Sequence, residues 1–103
     1  VRRLAAACLA LAACATPPGH EAFQQVMDRQ VGKLIDEPDA YPVFYRLRER
    51  NAKALPNGNT EHEYAAGRDG RCQLFFETDL SGRIVRWRAD GSERNCVITP
   101  PSR

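Results

Sequence analysis

Apolar residues fall into two rhythms along this chain. Phe23, Val26, Met27, Val31, Leu34 and Ile35 recur at steps of three and four. That spacing lines up one stripe of an α-helix and predicts a helix from about Glu21 to Ile35, with Phe23 and Met27 as core rather than cofactor contacts. Glu21 stands in the first turn, where the helix dipole favours a carboxylate, and Pro38 closes the segment. Asp36 to Pro42 reads as a polar turn region. Val43 to Leu55 fits either an extended strand or a second helix, and a strand beginning near Val43 is preferred. Pro56-Asn57-Gly58-Asn59 is a reverse turn. Beyond it the period changes to two: Glu61 to Ala66, Cys72 to Thr78 and Arg83 to Ala89 read as strands, separated by Gly67-Arg68-Asp69-Gly70 and Asp79-Leu80-Ser81-Gly82.

If the second of these turns is a tight hairpin, Thr78 faces Arg83, Phe76 lies opposite Val85, Leu74 opposite Trp87 and Cys72 opposite Ala89. The face carrying Leu74, Phe76, Val85 and Trp87 and the helix stripe are then the two halves of one core. On the other face Phe75 meets Arg86 and Glu77 meets Ile84, a half-polar surface where a guanidinium can stack on a ring. Phe75, Arg86 and Arg88 are the candidate binding surface. The expected class is α+β, one N-terminal helix packed on a three- to four-stranded antiparallel sheet, in a single small domain over 20–103.

Composition adds two constraints. A chain of 103 residues holds one core of marginal size and gains from a staple. The formal charge of +2 comes from Arg2 and Arg3; from Cys14 onward 13 basic residues balance 13 acidic ones. A neutral domain lacks the cationic surplus that phosphate recognition requires, so nucleic acid is not an expected partner.

The residues before position 20 point to a membrane. Arg2-Arg3 precede an uncharged apolar run that is far shorter than the roughly 20 residues of a spanning helix. The run ends in Leu11-Ala12-Ala13-Cys14, which resembles the lipobox of bacterial lipoproteins: an aliphatic residue, two small residues and the cysteine that is lipidated. The resemblance implies a signal peptide over 1–13, a diacylglycerol thioether on Cys14 and a lipidated tether over 14–19 that includes Pro17, Pro18 and Gly19. Several acyl chains give the stable anchor that a single chain does not. Cys8 is a poorer candidate, because Ala5-Ala6-Ala7 lacks the aliphatic residue. Ala15 after Cys14, where Asp would resemble an inner-membrane retention signal, implies the periplasmic face of the outer membrane.

Export carries a consequence for the remaining cysteines. In an oxidising compartment Cys72 and Cys96 are expected to pair, closing a loop of 25 residues counted from Cys72 through Cys96. Asp90-Gly91 suggests another hairpin, but a regular strand after it would carry Cys96 beside Val85, too far from Cys72 to bridge. The disulfide therefore requires Asp90 to Val97 to form a loop folding back over Cys72. With no Cys-x-x-Cys and two histidines, neither a redox nor a metal site is expected. His62 stands between Glu61 and Glu63, but strand alternation turns the carboxylates to one face and the imidazole to the other. Ser81, Ser92 and Ser102 lie in turns or the tail without a nucleophile motif. No catalytic residue and no cofactor are expected.

The residues Asn57-Gly58-Asn59, Glu63-Tyr64, Cys72-x-x-x-Phe76-Glu77-x-Asp79, Ser81-Gly82-Arg83-Ile84-Val85-x-Trp87 and Cys96 resemble a group of small proteobacterial lipoproteins. The helix followed by an antiparallel sheet is broadly similar to the small accessory lipoproteins of outer-membrane barrel assembly. These resemblances imply a non-catalytic binding or assembly module of the cell envelope, with membrane contact through Cys14 and an envelope protein or lipid as partner. The alternative is an inhibitor of a periplasmic or foreign hydrolase such as lysozyme, inserting Asn57-Gly58-Asn59 or Asp79 to Gly82 as its loop.

Overall fold

A computed structural model of the chain describes residues 19–67, 69–92 and 95–96. Cys14, the apolar run before it and most of the tether lie outside the described residues. The elements are helix α1 (His20–Asp28), a short helix α2 (Tyr41–Phe44) and strands β1 (Glu49–Ala54), β2 (Thr60–Ala66), β3 (Cys72–Thr78) and β4 (Ile84–Asp90). The strands form one antiparallel sheet in the order β1-β2-β3-β4, consistent with the expected α+β class.

The helix expected to reach Ile35 stops at Asp28. Gly32 has φ 97°, and the chain beyond it pairs with the sheet instead of coiling on. The Gly32 N–H donates to the Ile84 carbonyl at 2.8 Å, Ile84 N–H to Lys33 at 2.8 Å and Ile35 N–H to Gly82 at 3.0 Å. Leu34 thus forms a bridge with Arg83. Backbone groups that a longer helix would satisfy internally are satisfied here by β4, which also covers the start of that strand's open edge. The strand expected from Val43 is likewise shifted. Tyr41–Phe44 is helical, with Pro42 in its first turn, where the missing N–H is no loss. Extended backbone begins only at Glu49.

Both outer hairpins use one device. Leu55 and Asn59 close a three-residue loop through Leu55 N–H to Asn59 at 2.9 Å and Gly58 N–H to Leu55 at 3.0 Å. Asp79 and Arg83 do the same through Asp79 N–H to Arg83 at 3.0 Å and Gly82 N–H to Asp79 at 3.0 Å. This is the turn in which a left-handed glycine follows a type I corner. The Asp79 carboxylate accepts from Ser81 N at 2.9 Å, Ser81 Oγ at 2.6 Å and Arg83 N at 3.1 Å. Ser81 and Arg83 thereby hold its pKa below the usual carboxylate range.

The shorter loop changes the register expected for β3 and β4. Thr78 lies opposite Ile84, and a bulge then places Glu77 opposite Arg86, Phe76 opposite Trp87, Phe75 opposite Arg88 and Leu74 opposite Ala89. Ile84 enters the core at 1% exposure and Val85 turns outward at 37%, the reverse of the expected assignment. Trp87 stays on the inner side.

The core joins Phe23 and Met27 of α1, Tyr41 of α2 and the inner face of the sheet, Tyr64, Ala66, Leu74, Phe76 and Ile84. Phe23 sits between Tyr41 and Trp87, edge-on to both, with ring centroids 6.5 and 6.0 Å away. Trp87 Nε1 donates to Asp28 at 2.9 Å, which fixes the far end of α1 to β4. The buried Gln30 amide bridges the layers, donating to the Val26 carbonyl at 3.1 Å and accepting from Tyr41 N–H at 2.8 Å.

Cys72 and Cys96 form a disulfide with Cα atoms 5.1 Å apart. The described residues after Asp90 are not a strand, as the pairing requires. Their passage over β3 is close: a Cβ on Gly91 would lie 2.7 Å from the Arg71 carbonyl oxygen, and one on Gly67 2.5 Å from that of Asn95. The Cys96 carbonyl accepts from His20 Nδ1 at 2.8 Å, so the start of α1 is tied to this loop.

Candidate functional site

The surface proposed from sequence, Phe75, Arg86 and Arg88, lies on the outer face of the sheet. The cation and ring do stack, but the stacked cation is Arg88, whose guanidinium carbon is 3.7 Å from the Phe75 centroid. Arg88 is also held by Glu61 through two hydrogen bonds of 3.2 Å, which raises its already high pKa. Arg86 pairs instead with Glu77 at 3.2 Å. Glu77 further accepts from Asn59 Nδ2 at 2.7 Å and Asn57 Nδ2 at 3.1 Å. Those two amides, then the Arg86 charge, hold its carboxyl below the usual carboxylate range.

A depressed carboxylate pKa contributes stability that is present above the unfolded-chain value near 4.3 and is lost as pH falls through the lower folded value. Glu77→Gln is therefore expected to be less stable than the parent at pH 7, with the gap narrowing as the pH falls below the unfolded-chain value. Urea denaturation at pH 7 and at a series of acid pH values measures it, and an unchanged gap throughout would show that Glu77 acts through packing alone.

The residues of the C-terminal motif are thus turned on one another. Asn57 and Asn59 meet Glu77, Asp79 caps its own turn, Arg83 Nη1 donates to Gly32 O at 2.8 Å, Trp87 meets Asp28, and Cys72 meets Cys96. They build the frame and leave little polar capacity for a ligand.

Open space lies on either side of α2 and in a further cleft of about 410 Å³ between α1 and β4, lined by His20, Phe23, Gln24, Trp87, Arg88 and Cys96. One cleft beside α2, about 490 Å³, is walled by Val26, Tyr41, Phe44 and Tyr45 with Arg29 and Lys33 at its rim. Tyr41 and Tyr45 stack at 4.5 Å, and burial, then the neighbouring Tyr45, pushes the Tyr41 hydroxyl up to about 12. Lys33 is engaged with Asp39 at 3.0 Å.

The other cleft, about 440 Å³, has apolar walls from Ile35, Pro42, Val43 and Leu47. Its polar groups are Asp36, Arg46, Glu49, His62 and Tyr64. α1 and α2 cover the inner face of β3 and part of β2, and the floor of this cleft is the inner face left over at β1 and β2. Glu49 reaches it because a bulge after it sets Glu49 opposite Tyr64 while Asn51 pairs with Glu63. The Glu49 carboxylate can only accept, so Nδ1 of His62 carries the shared proton. His62 Nε2 meets Thr78 Oγ1 at 3.0 Å. Burial, followed by the Glu49 charge and hydrogen bond, pushes the Tyr64 hydroxyl up to about 12.

Carboxylate, imidazole and hydroxyl in line have the order of a nucleophilic relay. Thr78, however, is 3% exposed and faces Ile84 across the core side of the sheet. A hydroxyl so covered does not meet a ligand, and the relay serves to hold His62 and Glu49 in place. As alternation requires, Glu61 points away from His62, to Arg88 on the outer face. Among the described residues no three metal-ligating side chains converge. Arg46 and Glu49 escaped the sequence reading, because a strand from Val43 would have scattered them over two faces. Comparison with protein-family models, curated proteins and solved structures finds no match to this chain.

Proposed function

We propose that the chain is a non-catalytic lipoprotein of the cell envelope, an α+β domain whose helix follows a short tether and which is held at the periplasmic face of the outer membrane by acyl chains on Cys14. It acts as a binding or assembly module. The observation that supports the binding reading is the division of labour just described: the motif residues close on each other, while the clefts beside α2 stay open and lined with mixed polar and apolar groups. The lipobox-like Leu11-Ala12-Ala13-Cys14 supports the anchor.

Cys14→Ala is expected to move the protein from the membrane pellet to the soluble fraction of gently lysed cells and to abolish labelling by a clickable fatty acid. Unchanged fractionation together with an unlabelled parent would overturn the anchor.

A second reading, an inhibitor of a hydrolase, is favoured by Leu80. It is 94% exposed at the tip of a hairpin that Asp79 makes rigid. Such a tip suits insertion into an active-site groove. A lysozyme inhibition assay separates this reading from the first.

A further inference from the structure

Among the described residues, five buried side chains carry a polar end: Gln30, Tyr41, Tyr64, Glu77 and Thr78. Four of them use it inside the fold. Gln30 serves the Val26 carbonyl and the Tyr41 N–H, Tyr64 meets Glu49, Glu77 gathers two asparagines and Arg86, and Thr78 meets His62. The Tyr41 hydroxyl has no hydrogen-bond partner among the described residues, although Tyr41 is only 6% exposed. Nor is that hydroxyl sealed in, since no fully covered polar side-chain atom among the described residues lacks a partner. The small part of Tyr41 that reaches open space therefore includes its hydroxyl, and the space it lines is the 490 Å³ cleft between α1 and α2. A largely buried phenol left unpaired at the wall of a cleft is a donor turned towards a ligand.

The other polar groups of the cleft agree on the sign of that ligand. Its charged residues are Arg29, Lys33 and Asp39, two cations and one carboxylate. Lys33 and Asp39 pair at 3.0 Å, and the Lys33 hydrogen bond holds the Asp39 carboxyl below its usual range. The pair cancels, and the Arg29 charge is left over. Tyr45 brings a second phenol beside the first, and burial keeps Tyr41 a donor by pushing it up to about 12. A group with one negative charge and two acceptor oxygens matches this set of donors.

The walls indicate the rest of the ligand. Val26 and the rings of Tyr41, Phe44 and Tyr45 are apolar, and Phe44 stands 59% exposed. Tyr41 and Tyr45 are tilted by 35°, and Phe44 meets Tyr45 at 78°. Neither pair offers parallel faces between which a planar ring could slide. A flexible alkyl chain follows such a surface and covers Phe44.

We propose that this cleft binds a single-chain amphiphile with one negative charge, its carboxylate held by Arg29 and the Tyr41 hydroxyl and its alkyl chain laid over Val26, Phe44 and Tyr45. The inference deepens the binding-module reading and rests on it, but is independent of the anchor. Its test titrates the isotope-labelled full chain with decanoate, decyltrimethylammonium, benzoate and inorganic phosphate, the two amphiphiles kept below micelle-forming concentrations. Amide shifts in NMR locate each ligand and calorimetry ranks it.

Decanoate is expected to shift Val26, Arg29, Tyr41 and Phe44, with the other three compounds at least about tenfold weaker there. Arg29→Gln is expected to weaken decanoate about tenfold. Tyr41→Phe is expected to weaken it about threefold without lowering Tm, because the lost hydroxyl makes no bond inside the fold. Decyltrimethylammonium within twofold of decanoate, benzoate or phosphate equal to it, decanoate shifts that spare these four residues, or both variants binding as the parent does overturns the proposal. A fall in Tm of about 4 °C or more in Tyr41→Phe, the size of one lost internal hydrogen bond, overturns it too. Failure here removes this ligand from this cleft, whereas membrane fractionation of the Cys14→Ala protein judges the lipoprotein reading by itself.

Discussion

Replacing Cys72 and Cys96 together by alanine is expected to cost about 3 to 3.5 kcal/mol of folding stability, the chain entropy released when a 25-residue loop is no longer closed. For a domain of this size, whose whole stability is on the order of 5 to 10 kcal/mol, that is a large share. The loss reaches beyond the two sulfurs. Cys96 presents its carbonyl to His20, and Gly67 and Gly91 sit against Asn95 and Arg71 at distances no side chain permits. All these contacts depend on Gly91, Asn95 and Cys96 lying against the start of β3. The double variant should therefore show a lower urea midpoint and weaker hydrogen-exchange protection at the start of α1, with β2 and β3 protected down to the global value. Reductant added to the parent protein should reproduce both effects. A change in stability below about 1 kcal/mol would mean that the loop is held mainly by its other contacts.

How far such a fold is legible in sequence depends on whether a signal is local. The period-two segments of β2, β3 and β4 and the loops between them are local signals, and their bounds match the structure to within one residue. The disulfide was legible for a different reason, since redox compartment and geometry together left one arrangement for the segment after Asp90. The end of α1 was not legible. Val31, Leu34 and Ile35 keep helical spacing, but Ile84 and Gly82, half a chain away, claim the backbone of 32–35. The same holds for the β3–β4 register, where a loop shorter by one residue and a bulge exchange Ile84 and Val85 between faces. A one-residue slip inverts every assignment in a strand, so small turn details carry large consequences.

The cleft floored by β1 and β2 was hidden by the same kind of event. Glu49 and His62 are 13 residues apart and meet only because β1 is bulged and α2 turns at Arg46, with φ 54°. By contrast, in the conspicuous cluster Glu61-His62-Glu63 alternation turns the Glu61 carboxylate away from the imidazole, to Arg88 on the outer face. Its histidine is nevertheless the residue at the floor of the cleft, recruited by a carboxylate from the neighbouring strand. Residues that stand out as a motif here mostly serve the frame, and much of the lining of the clefts beside α2 comes from a stretch without periodicity, 41–50, joined by residues of 26–36 and of β2.

The two adjacent phenylalanines of β3 turn the sidedness of the sheet into a measurement. Phe76 is fully buried, packs on Tyr64 with centroids 5.9 Å apart and lies opposite Trp87. Phe76→Ala leaves a cavity walled by the disulfide-stapled strand and by α1, elements with little freedom to collapse, and should cost about 3 to 5 kcal/mol. Tm should fall by roughly 15 to 30 °C for a domain this small. Phe75, one residue earlier, is almost as inaccessible at 9%, but what covers it is the single, largely exposed side chain of Arg88 rather than a second layer. Phe75→Ala opens to solvent instead of to a void and loses a partial transfer term and one cation–ring contact, about 1 to 2 kcal/mol. A ratio near one between the two losses would place both rings in equivalent surroundings and contradict a sheet covered by helices on one face only. The expected ordering also bears on Arg88→Ala, which should lower stability by less than Phe75→Ala because the ring beneath it remains partly shielded by its neighbours on the sheet.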